Sequence, residues 1–359
     1  MNEPDIAALL NKVEVHFNQN LPFVVYSKPN AKKVIGVFQN DDTLHQVENF
    51  TDKGFAFVSF DSNEMILIPY YQSQILMADF AVFSSDDKSS TFDETDSDEA
   101  KSNYINLVQK GIDAIQTGDF GKVVLSRKES FSVPKFELIS AFQKLLQSYP
   151  TAFSYCFFHP KVGLWLGAFS EQLIRVKNKN LHTMAVAGTQ VYQENETAVW
   201  ESKEKAEQQF VTDFITESLH DYVKETKISE PYTMKAGNLI HLKTDIEAAL
   251  NEPSNLKEVI KILHPTPAVC GFPKENAKVF IMNNEGYDRE FYSGFLGELN
   301  HDFEKNENSI DLYVNLRCMK VENETVNLFV GCGITKDSIP ENEWTETVNK
   351  SKTIKKILY

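Results

Sequence analysis

The chain has 359 residues, 42% of them hydrophobic and 12% aromatic, the composition of a globular protein with a substantial core in one large domain or two. Its net charge of −15 argues against nucleic acid and an anionic membrane surface as partners, though not against a small anionic substrate met by a few local cations or a metal. No apolar run approaches the roughly 20 residues of a bilayer span, and the opening MNEPDIAALLNKVEVHF lacks the basic and apolar regions of a secretion signal. Cys156, Cys270, Cys318 and Cys332 lie in apolar stretches without CxxC spacing and read as buried free thiols of a cytoplasmic protein.

Within residues 1–83, PFVVYS, KVIGVF, GFAFVSF and MILIPY are rich in Val, Ile and Phe and separated by polar turns, so they predict strands. Residues 84–103, SSDDKSSTFDETDSDEAKSN, are acidic and Ser-rich and predict a solvated, flexible loop. From 104 to the end, helix and strand patterns mix. NYINLVQKGIDAIQTG carries Ile105, Val108, Ile112 and Ile115 at helical spacing before a glycine stop. KVVLSRKESF reads as a strand, FELISAFQKLLQSYP as a helix and SYCFFHPKVGLWLGAF as a hairpin about His159-Pro160. HTMAVAGT is a further strand, followed by a helix from about Trp200 to Val223. LYVNLRCMKVENETVNLFVGCGI predicts a hairpin, and a helix from about Glu341 closes the chain. Local hairpins with flanking helices indicate an α+β fold. There is no internal repeat and no GxGxxG or GxxxxGK[ST], so nothing suggests a nucleotide site.

Charged residues at positions the periodicity reserves for apolar ones are the functional clues. Glu207 lies three, four and seven residues before Phe210, Val211 and Phe214, on the core side of its helix, where a carboxylate needs a partner or a metal. Its alternative is a helix-end glutamate, or one paired with Lys203. Glu343, Glu346 and Lys350, spaced i, i+3, i+7, share a face opposite Trp344, Val348 and Leu358; they form either a solvated face or part of an oxygen-rich site of the kind Mg²⁺ uses. In KVVLSRK, alternation puts Lys122, Val124 and Ser126 on one face and Val123, Leu125 and Arg127 on the other. Lys122 is then an exposed strand end or, if desolvated, a base. Glu171 in GAFSEQLIR is a turn residue or a carboxyl group held protonated by burial. AVAGT, HPTPAVCGFP, YSGFLGEL and GCGI are punctuated by Gly and Pro, which suits close approach of backbone to a ligand. His264 is a ligand contact or a loop-stabilising histidine.

KVVLSR, LGAFSEQLIR, AVAGT, SKEKAEQQFV, LHPTPAVCGFP, YDREFYSGFLGEL, VNLRCMK, FVGCGI and ENEWTETVNK, in this order, resemble the chorismate-utilising enzymes. That family includes isochorismate, salicylate, anthranilate and aminodeoxychorismate synthases. The resemblance implies the anthranilate synthase component I-like fold, mostly antiparallel sheets flanked by helices, with residues 104–359 binding chorismate. It implies Mg²⁺ on Glu207 and Glu346 with Glu343 nearby, and Arg317 on the enolpyruvyl carboxylate with the amides around Gly331 and Gly333. Lys350 would lie near the ring carboxylate, Tyr292 and Ala268 along the ring, and Gly188 and Thr189 near the leaving hydroxyl. Lys122 would be the base that activates water and Glu171 the acid that protonates the C4 hydroxyl, the pattern of the water-using members: isochorismate synthase is the implied activity, with salicylate synthase, or a chorismate-binding protein without turnover, as the alternatives. Ala187 stands where aminodeoxychorismate synthases often place a nucleophilic lysine, and the LLES motif common in anthranilate synthases is absent. Phe169-Ser170 and Glu204 depart from the usual Ser-Pro and Asp. A cytoplasmic monomer serving menaquinone or siderophore synthesis is the implied setting.

Overall fold

The computed structural model describes residues 5–81, 97–192, 198–236, 239–252 and 256–358, apart from the side chains of Thr189, Val191, Lys203, Ala236 and Leu239. In chain order the elements are α1 (Ile6–Asn18), β1 (Phe23–Ser27), β2 (Lys33–Gln39), β3 (His45–Gln46), β4 (Gly54–Val58), β5 (Met65–Pro69) and β6 (Ser73–Asp79). Next come α2 (Asp98–Thr117), β7 (Lys122–Ser132), α3 (Leu138–Ser148), β8 (Phe153–His159), β9 (Gly163–Phe169), β10 (Gln172–Lys177) and β11 (Asn180–Val191). They are followed by α4 (Ser202–Leu219), β12 (Val223–Ile228), β13 (Tyr232–Ala236), β14 (Leu239–Leu250), α5 (Leu256–Leu263), β15 (Gly271–Phe272) and α6 (Lys274–Asn284). The chain closes with β16 (Phe295–Leu299), β17 (Ile310–Val314), β18 (Cys318–Glu322), β19 (Thr325–Ile334) and α7 (Pro340–Lys355).

Two antiparallel sheets carry this order. One runs β15-β7-β19-β18-β9-β8-β1-β2-β6, the other β12-β14-β11-β10-β17-β16-β4-β5-β3, with β13 added on β14. Strands before residue 83 enter both, so the N-terminal region is integral to the fold. Side chains alternate across each strand, and the inner faces bury Tyr26, Phe55, Phe57, Phe153, Tyr155, Trp165, Phe291 and Tyr313 in one aromatic cluster between the sheets. On the outside, α1 and α3 cover the first sheet and α4 and α5 the second, while α2, α6 and α7 pack on the β7–β19 end. The four cysteines are buried free thiols.

Three corrections to the sequence reading follow. The stretch LYVNLRCMKV is not one arm of a hairpin: β17 lies in the second sheet and β18 in the first, and only β18 and β19 form the hairpin. The expected acidic loop ends earlier than residue 103, because Ser97 caps α2 by accepting a bond from the Ala100 amide, with Asp98 and Glu99 favourably placed in the first turn. Its residues 84–96 lie outside the described residues. The α4 helix likewise stops at Leu219, and Val223 opens a strand.

The chain passes between sheets at two adjacent points, β9 to β10 through Ser170-Glu171 and β17 to β18 through Asn315-Leu316-Arg317. The strands on either side pair with each other, β9 with β18 and β10 with β17, so the two crossings sit together at the seam. There the Val314 amide donates to the Glu171 carbonyl at 2.9 Å. Arg317 takes a left-handed conformation (φ 45°), costly for a residue with a Cβ, to make the turn.

Candidate active site

A cavity of about 390 Å³ opens beside this seam, bounded by β7 and β19 of the first sheet, β11 and β14 of the second, and the N-terminal parts of α4 and α7. Each element delivers its polar residues for a local reason. Lys122 and Val124 of β7 face the cavity, while Val123 and Leu125 on the opposite face pack under α2, as strand alternation requires. Glu171 and Arg317 arrive from the two crossings. Glu201 and Glu204 start α4 as a reciprocal capping box, in which the Glu204 carboxylate accepts from the Glu201 amide at 2.6 Å. Glu207 follows one turn later and also lines the cavity. On α7, Glu343, Glu346 and Lys350 face inward while Trp344 is buried behind them.

The acid–base groups are tuned by their surroundings. Burial lowers the pKa of Lys122, reinforced by the charge of Lys350 and opposed by Glu207, Glu171 and Glu346. Burial raises Glu171 from 4.5 to about 7 against the pull of Lys122 and Arg317. Desolvation thus favours the uncharged form of both groups and brings the Glu171 carboxyl into the neutral range. Lys350 donates to the Gly331 carbonyl at 3.0 Å and pairs with Glu346 at 2.7 Å.

A wall built around Arg317 is the other half of the site. Burial lowers the pKa of Arg317, but a guanidinium stays charged at any physiological pH. Among the described residues no carboxylate lies within salt-bridge distance of it; its polar neighbour is His241 Nε2 at 3.5 Å. A desolvated, unneutralised guanidinium is a strong site for a ligand carboxylate. Tyr292 is buried, stacks on Phe329 at 5.5 Å and completes a flat wall with Ala268 and Val269. At Gly331 a Cβ would stand 2.8 Å from the Leu125 carbonyl and 3.0 Å from the Tyr292 hydroxyl, so only glycine leaves this strand open to a ligand. Gly188 has φ 71° at the β11 bulge, where a Cβ would meet Trp200 and Glu204 at 3.2 and 3.3 Å.

Most of the sequence-predicted residues therefore converge: Lys122, Glu171, Gly188, Glu207, Ala268, Tyr292, Arg317, Gly331, Gly333, Glu343, Glu346 and Lys350 all line one cavity. The side chains of Thr189 and of Lys203, the alternative partner of Glu207, lie outside the described residues. His264 is a correction. Its Nε2 lies 3.1 Å from the Phe60 carbonyl, its ring packs edge-on against Phe295, and burial lowers its pKa to about 3, so it is a neutral loop-packing residue away from the cavity.

The histidine in the site is His241 of β14, which sequence reasoning missed. Its Nδ1 is 3.0 Å from the Gly188 carbonyl and its pKa falls to about 4 through burial and the neighbouring Arg317. The neutral ring donating from Nδ1 to Gly188 leaves the Nε2 lone pair towards Arg317. The available signal was His241 alternating with apolar Ile240 and Leu242, a pattern equally expected of a solvated strand face.

Charge around the cavity supplies a test of fit for a cation. Six glutamates (Glu171, Glu201, Glu204, Glu207, Glu343 and Glu346) line the cavity against three cations (Lys122, Arg317 and Lys350). The excess is three negative charges, or two if Glu171 holds its proton, which would repel an anionic ligand unless a divalent ion offset it. The donors are oxygens only, which suits a hard cation. Among the described residues no three His, Cys, Asp or Glu side chains close on one point. Glu207, Glu343 and Glu346 are therefore not a ready-made cage, and an ion held there would need water and ligand oxygens to complete its shell, as Mg²⁺ accepts.

A family model described as a chorismate binding enzyme matches residues 63–359. The chain is 29% identical over 260 residues to the salicylate biosynthesis isochorismate synthase of Pseudomonas aeruginosa, covering 70% of this chain and 53% of that protein. It is 28% identical over 261 residues to isochorismate synthase EntC of Escherichia coli, covering 70% and 66%. The matches thus span between about half and two-thirds of these relatives' own length. The solved structure of MenF, the menaquinone-specific isochorismate synthase from Escherichia coli, superposes with a TM-score of 0.79 at 20% identity, over 95% of this chain and 89% of that one.

Proposed function

Because the chain belongs to the chorismate-binding enzyme family, we propose that it is an isochorismate synthase, converting chorismate reversibly to isochorismate with Mg²⁺. The observation that carries this reading is the opposite tuning of Lys122 and Glu171 at one cavity. Water addition needs an amine able to take a proton and, across the ring, a carboxyl group able to give one.

In this reading Arg317 holds the enolpyruvyl carboxylate and Tyr292, Ala268 and Phe329 flank the ring. Lys122 takes a proton from the water that bonds to C2; the ring double bonds shift, and the C4–O bond breaks as Glu171 protonates the departing hydroxyl. One water enters and one leaves, so the conversion is an isomerisation and each step has a reverse. Glu207 and Glu346, with Glu343 nearby, would hold Mg²⁺, which when bound neutralises the ring carboxylate and withdraws electron density from the ring. A protein that only bound chorismate would have no use for the acid and base.

The test is incubation with chorismate and Mg²⁺ followed by chromatographic resolution of the products. Isochorismate in equilibrium with chorismate is expected. Salicylate with pyruvate would move the assignment to a salicylate synthase, and anthranilate on addition of ammonia would overturn the choice of nucleophile.

A further inference from the structure

The face of β7 turned away from the cavity carries a second buried charge. Arg127 is 8% exposed; its guanidinium lies over the Trp344 ring at 4.3 Å and its Nε donates to Thr347 Oγ1 at 2.9 Å. Thr347 Oγ1 in turn lies 2.7 Å from the Trp344 carbonyl. Beside it, Glu129 is 3.6 Å from Arg127 and bonds Lys355 near the end of α7. One strand therefore presents Lys122 to the cavity and, five residues later, grips the helix that carries Glu343, Glu346 and Lys350.

Helical geometry makes that grip matter. Trp344, Thr347 and Ser351 form one buried stripe of α7, and Glu343, Glu346 and Lys350 form a second stripe about 100° away around the axis. Whatever fixes the first stripe fixes the second. A turn of α7 by about 20° would carry a carboxylate about 6 Å from the axis through about 2 Å, the length of a metal–oxygen bond. An apolar residue could fill the space behind Trp344 and would often stabilise as well as a buried ion does. What a planar guanidinium adds is direction, a stacking plane and an aimed N–H bond, which a lysine does not reproduce.

We infer that Arg127 is a positioning residue, setting the rotation of α7 about its axis and so the aim of Glu346 and Lys350 at the cavity. The inference rests on the proposed metal role of Glu346, and its test separates the two. Titration of the substrate-free protein with Mn²⁺ by calorimetry, alongside thermal unfolding, is the measurement. Arg127→Met should fold cooperatively yet bind Mn²⁺ about 10- to 100-fold more weakly, the usual effect of losing a partner behind a ligand. Arg127→Lys should restore stability more fully than it restores binding. Adding Glu346→Gln to Arg127→Met should cost little more, since both changes remove the same ligand. Unaltered Mn²⁺ binding in Arg127→Met, with only a lowered melting temperature, overturns the inference. If the unmodified protein binds no Mn²⁺, or binds it regardless of Glu346→Gln, the metal assignment fails instead. The crystal structure of Arg127→Met then decides the inference without metal: α7 turned about its axis supports it, and α7 in place refutes it.

Discussion

Replacing Glu171 by glutamine should stabilise the folded protein above pH 7 while slowing its reaction. The Glu171 carboxyl group titrates at about 7 in the folded chain, against 4.5 for an exposed glutamate. The folded state thus holds this proton more tightly than the unfolded state. The stability it contributes is fully present below the unfolded value and falls as pH rises from about 4.5 through about 7, by up to about 3 kcal/mol at 1.36 kcal/mol per pH unit. Glutamine keeps the shape and has nothing to ionise. The assay is denaturant unfolding of both proteins at pH 5 and pH 8.5, read as the difference between their two pH dependences. Titrating groups away from Glu171 cancel in that comparison; Lys122, whose lowered value works in the opposite sense, loses the opposing Glu171 charge in the variant, which adds to the expected difference. The glutamine variant should lose 2–3 kcal/mol less than the parent between the two pH values. In turnover, the parent should decline as pH rises through about 7, and the variant should lack that limb and run roughly 10²- to 10⁴-fold slower. Parallel pH dependences of stability would refute the claim that Glu171 is a desolvated acid.

Lys122→Ala should lower turnover by roughly 10²- to 10⁴-fold, the contribution of a positioned base, and leave chorismate affinity by calorimetry within a few-fold; turnover like the parent's removes Lys122 from the chemistry. Gly333→Ala probes the same amine sterically, because its Cβ would stand 3.0 Å from Lys122 Cε and 3.5 Å from Nζ. That exposed position has no positive φ, so the melting temperature should hold while kcat falls at least tenfold, about 1.4 kcal/mol; an unchanged kcat would mean that Lys122 can move without consequence.

The strands that face the aromatic core were legible because their Val, Ile and Phe runs bury on both sides. VKETKI, by contrast, is exposed after its first residue and forms an edge strand that pairs through backbone rather than side chains. The sheet crossing at Asn315–Arg317 was hidden for a related reason: it uses a left-handed arginine where a turn is usually signalled by glycine. Lys122 and Glu171 could each be singled out from sequence but not assigned a protonation state, since that depends on the desolvation created when two sheets and two helices meet. Glu207 and Glu346 had ordinary alternatives on their own helices; what distinguishes them is that α4 and α7, more than a hundred residues apart, begin beside the same cavity. His264 and His241 make the converse point. The histidine in the conspicuous Pro-rich motif packs a loop, and the one on a plain strand lies beside Arg317.

The proposed reaction depends on water adding to the ring as the original C4 hydroxyl leaves. Turnover of chorismate with Mg²⁺ in ¹⁸O-enriched water, with mass analysis of the isolated product, tests this directly. Isochorismate carrying one ¹⁸O, at the C2 hydroxyl, is the predicted result. Product that forms without ¹⁸O, or no product at all, would contradict it.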